Sequence, residues 1–269
     1  MRILVINPNT TASMTASIGA AASAAAAFGT EIVAVNPKDG PVSIESQYDA
    51  AYAVPGMLEL IRDGEGQGYD GYVIACFRDP GLEAAREIAA SPVVGIAEAA
   101  MHMASLIADG FSIIATLPRS VAVQQALARR YGFERHLRSV RAAGVPVLDL
   151  EDAHSGAADK VKRVVEEAIT VDGAEAVLLG CAGMVDLAQR LSEETGVPVL
   201  DGVSAAVKLV EAMAGLGLKT SKARSYGSPR AKPYAGRYAA AAPGGGFWEG
   251  VVPTPSPTLP GTPPAKAAE

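Results

Sequence analysis

The sequence predicts an α/β fold of two pseudo-symmetric lobes, each a roughly four-stranded parallel sheet flanked by helices, with the active site in the cleft between them. Three observations lead there. Short β-branched runs alternate eight times with Ala- and Leu-rich stretches of helical length. Most of the runs are continuously apolar, as strands buried on both faces of a parallel sheet must be. The chain also repeats itself around its two cysteines, Cys76 and Cys181.

The elements follow in order. Strands are predicted over residues 3–6, 32–35, 72–75, 92–95, 111–116, 147–150, 177–179 and 197–200, each bounded by turn residues. The first is a model for the rest: Ile3-Leu4-Val5-Ile6 is apolar at every position and ends at Asn7-Pro8. Helices are predicted over 12–27, 50–62, 81–89, 98–108, 121–130, 159–170, 184–195 and 204–214. Asp79 reads as the N-cap of the 81–89 helix, with Pro80 at its first position.

The repeat supplies the domain organisation. Each cysteine closes a strand and is followed by a Gly-containing turn, a helix and a Pro-Val strand that starts at Pro92 or Pro198. Offsets of 110 for Pro8 and Pro118, 105 for the cysteines and 106 for Pro92 and Pro198 define one register with small insertions. Lobe 1 is expected over 1–97, joined by a C-terminal segment 208–238, and lobe 2 over 98–207. The basic stretch with Lys219, Lys222, Arg224, Arg230, Lys232 and Arg237 reads as a strap. Residues 239–269 are rich in Pro, Thr and Gly and are expected to be disordered.

Composition narrows the function. With 269 residues, 49% hydrophobic, and a mean hydropathy of +0.20, the chain can bury a sizeable core. A net charge of −6 argues against nucleic acid as a partner. No apolar run reaches the roughly 18 residues of a membrane span, and the opening apolar stretch is too short for a signal peptide, so a cytoplasmic location is expected. Two cysteines cannot build a disulfide framework, and three scattered histidines give no metal-ligand spacing. His102 on its apolar helix reads as a packing residue, and His154 as surface.

Ligands of open α/β sheets bind beyond the carboxyl ends of the strands, where both cysteines stand. Lobes facing each other about a pseudo-twofold axis would set the two sulfurs against one another. A helix start favours thiolate, and the ordinary thiol value near about 8.5 needs only modest tuning to give one thiolate and one thiol. Such a pair can invert a carbon stereocentre: one sulfur removes a proton from one face, the other delivers one to the opposite face, and oriented N–H groups hold the carbanion between. The turn Asn7-Pro8-Asn9-Thr10-Thr11 can either cap a helix or hold a ligand. Gly40 to Glu45, after the second strand, can reach the same cleft.

The motifs Val5-Ile-Asn-Pro-Asn-Thr-Thr11, Gly40-Pro-Val-Ser-Ile-Glu45, Ala75-Cys-Phe-Arg-Asp-Pro-Gly81 and Leu179-Gly-Cys-Ala-Gly-Met184 resemble the aspartate/glutamate/hydantoin racemase superfamily, nearest its hydantoin and allantoin racemase branch. The resemblance covers about residues 1–238. It implies a cofactor-independent, two-base racemase acting at C5 of a 5-substituted hydantoin, with allantoin as one candidate substrate. It matches Cys76 and Cys181 to the catalytic pair and implies substrate contacts from Asn7, Asn9, Thr10, Ser43, Ile44, Phe77, Gly180, Ala182 and Gly183. It implies an uncharged cyclic ureide as ligand, no metal, and a homo-oligomer. Arg78 departs from the pattern, which has a small or acidic residue there; it reads as solvent-facing, or else as a cation tuning Cys76. An acidic amino-acid racemase, a cysteine-dependent isomerase and a non-catalytic binding protein are the competing readings. The first would need cationic anchors, for which Arg78 and Arg119 are the candidates.

Overall fold

The computed structural model describes residues 1–152 and 154–244. Its first sheet contains β1 (Arg2–Ile6), β2 (Glu31–Val35), β3 (Gly71–Ile74) and β4 (Val93–Gly95), in the order β2-β1-β3-β4. The second contains β5 (Phe111–Ala115), β6 (Leu137–Ala142), β7 (Ala176–Leu179) and β8 (Val199–Asp201), in the order β6-β5-β7-β8. All pairings are parallel, and the two strand orders are the same permutation. Among the described residues eight α-helices flank them: α1 (Ala12–Ala25), α2 (Gln47–Glu65), α3 (Leu82–Ile88), α4 (Ile96–Ser105), α5 (Val121–Arg130), α6 (Ala157–Thr170), α7 (Ala188–Thr195) and α8 (Gly202–Gly215).

Strand periodicity splits the apolar side chains between two layers. From β1, Ile3 and Val5 join a core that also holds Ile113 and Leu178 of the other sheet. Leu4 and Ile6 point the other way, onto Met57 and Ile61 of α2. Ile114, Val177 and Leu179 likewise back onto α6 and α7. The inner strands β1, β3, β5 and β7 therefore had to be largely apolar on both sides, which is why they show no alternation.

The shared core is built by an exchange. Helix α4 leaves the first sheet but packs on β7 and β8 of the second, while α8 leaves the second sheet and packs on β3 and β4 of the first. Ala97, Ala100, Met101 and Ala104 of α4 meet Val203, Ala206, Val207 and Val210 of α8 in one cluster. Small residues let the two helices come close, and the lobes are joined by buried apolar surface.

Three parts of the sequence reading are corrected. The run 147–150 is a 3₁₀ turn, Val147–Glu151, and the edge strand is β6, whose sequence Leu-Arg-Ser-Val-Arg-Ala is half-exposed. An edge strand needs only one neighbour and tolerates charged residues, so it lacks the continuous apolar signature. Asp79 does not cap the helix that follows it: α3 starts at Leu82 after Gly81 in the left-handed region, φ 67°. The predicted helix over 184–195 begins with a 3₁₀ turn, Ala182–Leu187, before α7.

After α8 the chain runs back along the first lobe. Thr220 bonds Ala90 and Ser91 through its backbone N–H and hydroxyl, and Lys222 Nζ donates to the Arg86 and Glu87 carbonyls at the end of α3. A cation on terminal helix carbonyls is a favourable placement. Residues 239–241, assigned above to a disordered tail, lie in a 3₁₀ turn, Gly236–Ala241. Residues 245–269 of that tail, including Phe247 and Trp248, lie outside the described residues. No helix among the described residues is long and apolar enough to cross a membrane.

Candidate active site

Cys76 follows β3 and Cys181 follows β7, at equivalent strands of the two sheets. Both line one cavity at the carboxyl ends of the strands, between the lobes. Each sulfur receives a backbone N–H from two residues further on, Arg78 for Cys76 and Gly183 for Cys181. The repeat is thus carried down to single hydrogen bonds.

The cavity also collects Asn7 and Asn9 after β1, Ile44 and Phe77. Gly180 and Ala182 flank Cys181 on its walls. Thr10, Ser43 and Gly183, expected to touch substrate, do not line it. Thr10 is turned to the neighbouring loop, where its N–H bonds Pro41 O at 3.0 Å, and Gly183 serves the Cys181 sulfur. Residues that sequence reasoning missed complete the walls: Met14, Thr116, Ser120, Gln124 and Val147. Thr116 and Ser120 follow β5, the repeat's counterpart of β1, so the internal alignment carried a signal for them. Gln124, a polar residue on an amphipathic helix, gave none.

The Asn7 turn is built as a floor. Asn7 Nδ2 donates to Asn9 Oδ1 at 2.8 Å and to Thr15 Oγ1 at 3.0 Å, and Asn9 Oδ1 also accepts the Thr11 N–H. Thr11 precedes α1 but makes no side-chain cap; its hydroxyl donates to Val42 O instead, at 2.7 Å. The Asn7 and Asn9 amides are largely committed to holding the turn rigid, and Thr10 and Thr11 join it to the Gly40–Glu45 loop.

Arg78 corrects the solvent-facing reading. It is half-buried, and Nη2 donates to Glu45 O at 2.7 Å and to Ser120 Oγ at 3.0 Å, spanning the cleft. The Glu45 side chain spans it too, accepting the Val147 N–H at 2.8 Å. Arg119 does not line the cysteine cavity; it lies exposed beside an outer hollow that it shares with Arg78.

Asp79, three residues after Cys76, is buried. Its carboxylate accepts the N–H groups of Ala97 at 3.0 Å and Glu98 at 2.9 Å, capping α4 from a distance. The local N-cap is Gly95, where a Cβ would run into that carboxylate. The second lobe does the same job locally: Asp201 caps α8 through the Ser204 N–H at 2.7 Å. Asp79 itself sits at φ 43°, held by these bonds and by its own N–H to Cys76 O. His102 is exposed, not buried, with its ring edge-on to Phe133. His154 lies exposed at the surface.

The thiols are also more protonated than the sequence implied. Burial pushes Cys76 up to about 12; the Arg78 N–H and guanidinium oppose this, while Cys181 and Asp79 add to it. Burial pushes Cys181 up to about 11, against the Gly183 N–H and with the Glu45 charge. The expected helix start is missing at Cys76, because α3 begins only at Leu82, so one N–H cannot offset desolvation. Burial likewise raises Asp79 to about 7. No cluster of three or more His, Cys, Asp or Glu side chains among the described residues could hold a metal ion.

Comparison with known proteins agrees with this architecture. The family model for Asp/Glu/Hydantoin racemase matches residues 3–210. Hydantoin racemase of Rhizobium meliloti is 53% identical over 236 residues, 88% of this chain and 98% of that protein. Hydantoin racemase of Pseudomonas sp. (strain NS671) is 47% identical over 236 residues, 88% and 95% of the two chains. The solved structure of allantoin racemase from Klebsiella pneumoniae has a TM-score of 0.88 and 53% identity, covering 90% of this chain and 99% of that one. A repeated lobe with one cysteine per copy on a common cavity, and similarity along nearly the whole of these relatives, place the chain in the Asp/Glu/hydantoin racemase family of enzymes.

Proposed function

We propose that the protein racemises 5-substituted hydantoins, allantoin among them, by a two-base reaction of Cys76 and Cys181. The observation that carries this reading is that both sulfurs, from corresponding positions of the two lobes, line one cavity. The names of its relatives, hydantoin racemase and allantoin racemase, support the substrate class.

In this reading one thiolate takes the C5 proton and leaves its electron pair in an enolate that extends onto the C4 oxygen. The thiol opposite protonates C5 from the other face. The ring leaves inverted, and the two cysteines have exchanged protonation states. The reverse enantiomer finds base and acid already interchanged, which gives both lobes a reason to carry the same residue. The Arg78 guanidinium, lining the cavity beside Cys76, favours the thiolate electrostatically.

The cavity favours an uncharged ring over an acidic amino acid. Arg78 is the one cation among its lining residues, fewer than the two carboxylates of an acidic amino acid call for, and with Nη2 given to Glu45 and Ser120 only Nη1 is left to a ligand. The other polar lining groups are amides and hydroxyls. Free space inside is about 40 Å³, far below the roughly 300 Å³ at which ligand pockets begin. Substrate entry therefore requires the cavity to widen, and the Glu45–Val147 and Arg78–Ser120 bonds are the links that span it.

Proton exchange in deuterium oxide tests the reading. Cys76→Ser and Cys181→Ser each abolish racemisation of 5-isobutylhydantoin or allantoin, followed by circular dichroism. Each retains C5 exchange of one enantiomer only, a different one for each variant, followed by NMR. Exchange of both enantiomers at the wild-type rate in either variant refutes the two-base assignment.

A further inference from the structure

Buried polar side-chain atoms in native proteins are nearly always hydrogen-bonded, and an exception asks for a reason. Arg78 Nη1 and Gln124 Oε1 are both buried without a partner, and both residues line the cysteine cavity. One is a donor and the other an acceptor.

The orientation of the Gln124 amide is fixed by its surroundings. Nε2 donates to the carbonyl of Gly180 at 3.1 Å, and a carbonyl can only accept, so the nitrogen belongs on that side. Oε1 is left over. The side chain is 2% exposed and comes from α5 of the second lobe, beside the residue that precedes Cys181. A Cβ at Gly180 would sit 2.6 Å from Gln124 Nε2 and 2.7 Å from the Ile114 carbonyl oxygen, so the amide packs tightly on the strand end. A fully buried glutamine with a spare acceptor is costly unless something supplies a donor.

We propose that Gln124 Oε1 accepts a ring N–H of the substrate, while Arg78 Nη1 donates to a carbonyl of the same ureide. This rests on the hydantoin racemase reading and names the groups that recognise the ring. A cyclic ureide alternates N–H and C=O along its edge, so an unpaired acceptor and an unpaired donor on two residues that line one cavity match it. Held by its edge, the ring keeps C5 between the two sulfurs whatever substituent C5 carries. Gln124 acts in binding and orientation, without proton transfer of its own.

The test compares 5-isobutylhydantoin with its 1-methyl and 3-methyl derivatives in the wild-type protein, Gln124→Met and Arg78→Met. In the wild type, one N-methyl derivative loses at least about tenfold in kcat/KM, a floor well under the roughly 10⁴–10⁵ by which a site built to hydrogen-bond an N–H can reject an analogue lacking it. In Gln124→Met the parent falls by a similar factor, so the gap between parent and methylated ring closes. In Arg78→Met the KM rises by at least about tenfold for the parent while the gap persists. A wild-type protein that turns over both methylated rings as well as the parent overturns the proposal, an outcome needing no variant. A gap that survives in Gln124→Met overturns it too, because a purely structural role would slow all three substrates together. An unchanged KM in Arg78→Met removes the arginine from the proposal. Wild-type protein that racemises none of these rings sinks the hydantoin reading itself, a different result from turnover without discrimination.

Discussion

The hydroxyl of Tyr131 donates to the carboxylate of Asp79 at 2.8 Å, tying the turn that carries Cys76 to the end of α5 in the other lobe. The same carboxylate caps α4. One buried group therefore fixes the Cys76 turn to two elements at once.

That carboxyl makes stability depend on pH. Burial raises Asp79 to about 7 from its ordinary 3.8, opposed by its hydrogen bonds from Ala97, Glu98 and Tyr131 and reinforced by the Glu98 charge. Between these values the folded protein holds a proton that the unfolded chain has lost, so stability is fullest below about pH 4 and declines as pH rises towards about 7. The decline is on the order of 4 kcal/mol. Urea unfolding of wild type and Asp79→Asn across this window checks it: the wild type loses stability relative to the variant as pH rises. A pH-independent difference contradicts the assignment.

The thiols should alkylate slowly. With Cys76 pushed up to about 12 and Cys181 to about 11, iodoacetamide modification of both climbs with pH through about pH 10. Peptide mass spectrometry reads each site separately. Glu45→Gln removes a negative charge near Cys181 and so lowers that thiol, accelerating its modification relative to Cys76. A plateau reached below about pH 8 for both sulfurs shows that desolvation does not dominate.

Gly180→Ala places a methyl group on the Gln124 amide and 2.7 Å from the carbonyl oxygen of Ile114. Backbone cannot yield as a flexible side chain does, and an overpacked site of this kind costs about 1–3 kcal/mol. Thermal unfolding reports the loss. Gly132→Ala, a solvent-open control, meets no atoms but suffers from its φ of 83°, so it separates backbone strain from collision.

Arg141 and Asp172 offer an acid-side counterpart. The Arg141 hydrogen bond, with help from Ser139, holds Asp172 down at about 2, below its ordinary 3.8. The stabilisation is complete above about pH 4 and disappears as pH falls through about 2. Both side chains are partly solvated, which limits the contribution to about 1 kcal/mol. Asp172→Asn is therefore destabilised at pH 6 and indistinguishable from wild type in acid, by urea unfolding.

Much of this architecture could be read from the chain because parallel strands buried on both faces advertise themselves, and because the duplication brought Cys76 and Cys181 into register. What escaped was whatever depends on distant neighbours. Strand β6 carries Arg138 and Arg141 since it lies at an edge. Asp79 has the sequence context of a local cap, yet the N–H groups it serves are 18 and 19 positions away. Arg78 looked free because nothing nearby in sequence reveals Glu45 O or Ser120 across the cleft. Gln124 stayed hidden: a glutamine on a helix is ordinarily solvated, and only the fold shows it buried over Gly180.

The two lobes cap their exchanged helices differently, one from Asp79 behind a sulfur and the other from Asp201 at a strand end. Mirror-image ligands have equal free energy in solution, so the specificity constants for the forward and backward reactions must be identical. Nothing obliges the turnover number and half-saturation concentration to match separately. A catalyst whose halves share topology but not the carboxylate behind the thiol is one in which the left- and right-handed substrates can saturate at different concentrations and turn over at correspondingly different maximal speeds.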